Sequence, residues 1–455
     1  MSRRIFIALT LVSLASAGAE AQDAHYWSQH YATRGVLLGG AVIGSADDLG
    51  ATFYNPGLMA WVNEREVLLG SNVYEYSSVR AKDQEDSDLD ITSQRITVLP
   101  NLVAGQLGRQ LFGGHIAYSL LTRQNVRVAA KVRAVDPGPP STSRLGSGEY
   151  FFDQNLTEVW AGATWARHLG DGWGVGVSPY VAYRGQNLRE QGLGQIAEPT
   201  GTVSTALVLR DVQYSHWRLL AKAGLGYRAD TWSFGFTATT PGLKLWGNGE
   251  TYLNVSASNL DLDGDTIPDE VLASTFQKDL DAEYRGPWSV GTGGSVTLGR
   301  STIHASAEWF SAVAEYDVLA LEPFSAQTGG VEIQPEVRQG LKSIVNWGVG
   351  LEFAVSEERR LYMSLVSDRS AKGSRSGTSA LISTWDILHA TVGSNVDVGI
   401  ADLTLGLSYA WGDDEIGTAS APDDVRDPSE AIGASDSSEI QFRRIRLLLG
   451  VQASF

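Results

Sequence analysis

The residues best suited to chemistry are carboxylates crowded into one polar stretch. Asp261, Asp263 and Asp265 alternate around Gly264, and Asp269 with Glu270 closes the run. Oxygen ligands at alternate positions beside a turn glycine suit Ca2+, which takes six to eight of them. A solvated acidic turn explains the same run equally well. It is shorter than an EF-hand loop and departs from that pattern. Catalytic constellations are thin. The chain has no His-Glu-x-x-His and no Gly-x-Ser-x-Gly, and its seven His are scattered. His304, Ser306 and Glu308 share one face of a strand, which a wet interior explains without catalysis. Asn55-Pro56-Gly57 is a turn signal. No enzyme and no required cofactor are expected, with Ca2+ the one ion the sequence invites.

These residues need elements to hold them, and the end of the chain shows what kind. Ile445, Leu447, Leu449, Val451, Ala453 and Phe455 are apolar at every second position, with Arg444, Arg446, Gly450 and Gln452 between them. A strand sends alternate side chains to opposite faces, so one face is apolar and the other mostly polar or small. The pattern recurs at 173–184, 217–227, 345–353 and 403–411, with aromatics at the ends of the apolar rows. About fourteen such segments fit, each as long as the ~9–11 residues of a membrane-spanning strand. Short connectors alternate with long polar ones, as in bacterial outer-membrane barrels. A fourteen-stranded all-β transmembrane barrel is therefore expected over 64–455. A continuous seventh strand at 232–248 and a ninth at 302–318 belong to that reading.

The chain's start fits an export signal. Arg3 and Arg4 precede an apolar run, Ile5 to Leu14, and Ala19-Glu20-Ala21 suits cleavage, so 1–21 reads as a signal peptide. Hydrophobic content is 43% and mean hydropathy is −0.10, values that a barrel reaches by alternation. The net charge of −17 argues against nucleic acid. Residues 22–63 lack strand alternation and precede the first strand. They are expected to form a plug in the lumen.

Here a resemblance enters. Gly39-Gly40-Ala41-Val42-Ile43-Gly44-Ser45-Ala46-Asp47-Asp48, followed by Ala51-Thr52-Phe53-Tyr54-Asn55-Pro56-Gly57, resembles the amino-terminal hatch of the FadL/TodX family. The family's motif there is Asn-Pro-Ala, and this chain has Gly57 in the third place. Leu99-Pro100-Asn101, Thr240-Pro241-Gly242-Leu243-Lys244-Leu245 and Tyr284-Arg285-Gly286-Pro287-Trp288 are similar to later family segments in the same order. The family transports long-chain fatty acids and other hydrophobic compounds across the outer membrane, passively. The resemblance implies a hatch at Asn55, Pro56 and Gly57. It also implies lateral release at a kink in the third strand, for which Gly113 and Gly114 are the candidates, although glycines there also suit a plain turn. Implied partners are hydrophobic small molecules, outer-membrane lipids and the barrel-assembly machinery, with a monomer expected. The alternative is a non-transporting surface barrel, an adhesin or structural protein working through its acidic loops.

Overall fold

A computed structural model of the chain describes residues 24–62, 66–82, 89–136, 145–260, 267, 269–372, 385–418 and 436–454. The expected signal peptide, Asp261, Asp263, Asp265 and Phe455 lie outside the described residues. Two-faced sequences give two-faced strands, and these set the architecture. The strands are β1 Glu66–Lys82, β2 Leu89–Leu111, β3 Gly114–Asp136, β4 Leu145–Gly170, β5 Trp173–Ala197, β6 Val203–Arg228 and β7 Trp232–Thr239. There follow β8 Leu243–Leu260, β9 Asp269–Leu280, β10 Ser289–Leu298, β11 Ser301–Phe310, β12 Val313–Asp317, β13 Phe324–Ser325, β14 Glu332–Ile333 and β15 Arg338–Leu341. The last five are β16 Ile344–Ala354, β17 Arg359–Asp368, β18 Ile387–Asp397, β19 Ala401–Thr418 and β20 Asp436–Ser454.

Fourteen strands close an antiparallel barrel: β1 to β7, β10, β11 and β16 to β20, each against its neighbour. β1 pairs with β20 from Glu66↔Ser454 to Lys82↔Glu439, which seals the seam. On β5, Val177 and Val181 point outward, 38% and 39% exposed, while Tyr180, Ala182 and Arg184 are fully buried inside. On β20, Ile445, Leu449 and Val451 face out while Arg446 and Gln452 face in. Trp173 and Tyr183 bracket one outward row. The ten steps from one to the other span ~33 Å along a strand, or ~25 Å vertically at ~40° tilt, the height of a membrane's apolar band. Tyr183 and Trp217 meet across β5 and β6, their tilted rings 4.9 Å apart, as part of the upper aromatic girdle. Among the described residues no helix is long and apolar enough to cross a membrane. The architecture is that of a bacterial outer-membrane barrel.

The wall departs from the expected strands in two places. The seventh strand does not run through 232–248: it ends at Thr239 and resumes at Leu243, because Pro241 has no N–H for a ladder. β8 then leaves with β9 as a hairpin inside the stretch read as a long loop. The ninth strand ends at Phe310 rather than 318, and β12 pairs instead with β15. Tyr316, Val318, Leu319 and Val337 of that excursion pack against the inward-facing Phe152, Leu188 and Val212.

Candidate functional site

Residues 24–62 are ringed by inward-facing side chains from around the barrel. The segment is two short helices, Thr33–Leu37 and Ala51–Tyr54, and a 3-10 helix, Pro56–Trp61. Asp368 Oδ1 on β17 accepts from the backbone N–H groups of Tyr26 and Trp27. Glu308 accepts from Trp27 Nε1, Ser306 from the Ile43 N–H, and Ser45 pairs with His304 at 2.8 Å. The polar face of β11 thus grips the segment. Arg34 pairs with Glu352 of β16 at 2.6 Å. Ser178 and Tyr180 of β5 both donate to the Thr52 carbonyl. Arg446 of β20 donates to the Ser28 carbonyl at 2.6 Å.

Asn55, Pro56 and Gly57 are buried where the segment meets β5, β6 and β7. Asn55 caps the 3-10 helix: its Oδ1 accepts from the Gly57 N–H at 3.0 Å, and its Nδ2 donates to the carbonyls of Ile43 and Leu225. A Cβ on Gly57 would stand 2.7 Å from the Gly224 carbonyl oxygen and 2.9 Å from that of Gly174. The wall is glycine on both sides of this contact, so backbone meets backbone. These three residues hold the segment and lie away from the cavity described below.

Gly113 and Gly114 lie at the β2–β3 turn. Phe112 and Gly113 have φ of 51° and 71°, the twisted two-residue turn that hairpins favour. They stand apart from the place where the β2–β3 pairing ends. The β2–β3 ladder stops at Leu102↔Leu121, whereas β2 continues with β1 to Ala81↔Leu89 and β3 with β4 to Asp136↔Gly146. An extra residue sits on each strand there, Asn101 on β2 and Arg123 on β3. Such bulges bend a strand and end its pairing. Asn101 turns inward and donates to the His30 carbonyl at 2.8 Å. Thr122 Oγ1 reaches across to the Pro100 carbonyl, and Tyr31 OH donates to the Thr122 carbonyl, both at 3.1 Å.

Behind Arg123, the bulged residue of β3, lies a small cavity of about 60 Å³. Tyr26, Phe53, Trp160, Tyr284 and Phe310 give it aromatic walls, and Arg123, Arg218 and Lys222 give it charge. Glu158 binds Arg184 at 2.8 Å and Arg218 at 2.5 Å, and accepts from Trp160 Nε1. Both guanidiniums sit over the Tyr284 ring, 4.4 and 4.3 Å from its centre. Arg123 lies over Phe53 and Trp160, and Lys222 over Phe53. Among the described residues that line the cavity, three cations, Arg123, Arg218 and Lys222, face two carboxylates, Glu158 and Glu308. Among the described residues, Arg218 Nη1 and the Tyr26 hydroxyl are buried without a hydrogen-bond partner. Buried idle donors are costly, and an anionic group in the cavity would satisfy them.

Sequence reasoning missed this cluster. Its members come from β3, β4, β6 and the 284–310 stretch, and only the closed sheet brings them together. Asp269 and Glu270 open β9, where Glu270 accepts from Ser258 Oγ at 3.1 Å. Among the described residues no group of three or more His, Asp or Glu is placed to hold a metal ion.

The closed fourteen-stranded wall defines a class, the outer-membrane β-barrels. Solved structures share its fold. A FadL homologue from Pseudomonas aeruginosa aligns over 97% of this chain and all of its own, with TM-score 0.60 and 12% identity. The toluene transporter TodX of P. putida aligns over 94% of this chain and 99% of its own, with TM-score 0.56 and 13% identity. The toluene transporter TbuX of Ralstonia pickettii aligns over 94% and 98%, with TM-score 0.53 and 12% identity. No family model and no curated protein matches the sequence. The chain has the fold of the FadL/TodX-type channels.

Proposed function

We propose that this protein is a passive outer-membrane channel for hydrophobic small molecules, and that its preferred ligand is an acyl chain ending in a carboxylate. The observation that carries the reading is the cavity: aromatic walls, surplus buried positive charge and two idle donors, next to a gap in the wall. Neutral hydrocarbons would leave Arg218 Nη1 and Tyr26 OH unpaired, whereas a fatty acid pairs them. Residues 24–62 act as the plug that blocks a straight bore. The ligand leaves sideways between β2 and β3. That route keeps it out of water, where each exposed methylene costs ~0.8 kcal/mol. The structural neighbours, which include toluene transporters, support hydrophobic cargo in general.

Uptake of labelled long-chain fatty acids by cells with and without the protein tests this. Faster uptake in its presence is the expected result. Equal uptake across a panel of fatty acids and aromatic hydrocarbons would sink the channel reading and favour a non-transporting surface barrel.

A further inference from the structure

The wall is interrupted at a second place. β7 and β10 pair from Trp232↔Val296 to Thr239↔Ser289 and no further. Beyond that rung the facing segments are 240–242 and 285–288. Each carries a proline, Pro241 and Pro287, which lacks the N–H that a ladder needs. The polar groups beside them are satisfied elsewhere. Thr240 exchanges two hydrogen bonds with Ala221 of β6, and Trp288 exchanges two with Ser311. Among the described residues no hydrogen bond joins 240–242 to 285–288.

The two sides of this break differ in chemistry. Outside, Leu243, Leu245, Trp246 and Trp288 are 70%, 57%, 59% and 51% exposed, an apolar rim. Inside, Thr240, Gly242, Gly286 and Pro287 line the cavity already described. Leu243 pairs with Leu219, and Trp246 with Trp217 of the upper girdle, so the break falls just below that girdle, in the extracellular half of the apolar band. Arg218 stands directly behind it: a Cβ on Gly242 would meet the Arg218 side chain. Gly286 borders open space, with only Tyr284 within 4 Å of a Cβ placed there, at 3.8 Å.

We propose that this break is a side door through which an acyl chain dissolved in the outer leaflet passes directly into the cavity, its carboxylate drawn to Arg218. The door is distinct from the β2–β3 gap, which lies five strands away and serves release. The inference rests on the channel reading, and its test separates the two.

The chain has no Cys, so Gly286→Cys supplies a single thiol in the purified full-length protein in phospholipid vesicles. A maleimide carrying an acyl chain should label it about tenfold faster than a charged water-soluble maleimide, and added oleate should slow that labelling. Equal rates, unaffected by oleate, overturn the door. Gly286→Trp supplies a second readout. Wild type should move a fluorescent fatty acid from the outer leaflet faster than empty vesicles do, and Gly286→Trp should slow that transfer several-fold. If Gly286→Trp matches wild type, the door is wrong and the channel stands. If wild type matches empty vesicles, the channel reading fails and takes the door with it.

Discussion

At the scale of single residues, the cavity is a problem in unpaired donors. Tyr26 OH and Arg218 Nη1 are buried and idle, beside a carboxylate, Glu158, already shared by two arginines. Tyr26→Phe removes one hydroxyl and little packing. A hydrogen bond to a charged group is worth roughly 1.5–3 kcal/mol, so fatty-carboxylate affinity should fall about tenfold or more in a tryptophan-fluorescence titration. Affinity for a neutral hydrocarbon should not change. Equal carboxylate affinity in the variant would dismiss the anionic head. Gly57 is the opposite case, a residue defined by what it lacks. Gly57→Ala pushes a methyl group toward two carbonyl oxygens, and overpacking of that kind costs ~1–3 kcal/mol. Urea unfolding should show the loss, with ligand affinity in the folded fraction intact.

At the scale of elements, the gap between β2 and β3 should behave as a hinge that chemistry can lock. Thr122 Oγ1 lies 3.1 Å from the Pro100 carbonyl oxygen. Leu102 and Leu121 face each other on the last rung of the ladder beside it, so Leu102→Cys with Leu121→Cys should form a bridge on oxidation. Uptake should stop when the bridge forms and return with reductant. Uptake indifferent to the bridge would place the exit elsewhere. The acidic run Asp261–Glu270 carries its own proposal, Ca2+ binding. Calorimetry should record a heat of Ca2+ binding that Asp263→Ala with Asp265→Ala abolishes. Undiminished heat in that variant dismisses the site. The strands themselves were legible because alternation and terminal aromatics survive in one dimension. The bulges at Asn101 and Arg123 were not, since an extra residue does not disturb composition. Pro100 and Pro241 were the visible hints: a proline within a strand pattern announces a missing donor. The cluster of Glu158, Arg184 and Arg218 had no local signal, because those residues are joined only by the rungs of β4, β5 and β6.

At the scale of the whole molecule, the barrel joins its two ends, and the inner segment spans that junction. Arg446 on β20 holds the Ser28 carbonyl and pairs with Glu75 on β1, while Gln452 on β20 reaches Glu66 on β1. Thr33 lies within 3.5 Å of Gln452. The first part of the barrel strand order is thus stitched to the last through residues that precede both. In kinetic terms this is a late event with a large loop to close, since β1 and β20 are separated by the entire wall. A wall zipped from neighbouring hairpins can form early, but its final join waits for the chain's two extremes to meet. Residues 24–62 then act as a clasp across that join. Deleting them should leave hairpin formation untouched and raise the rate at which the closed barrel reopens, read as faster loss of heat-resistant gel mobility. An unchanged reopening rate would mean that the seam needs no clasp. The segment held by the barrel's inward-facing side chains would then also set how long the barrel lives.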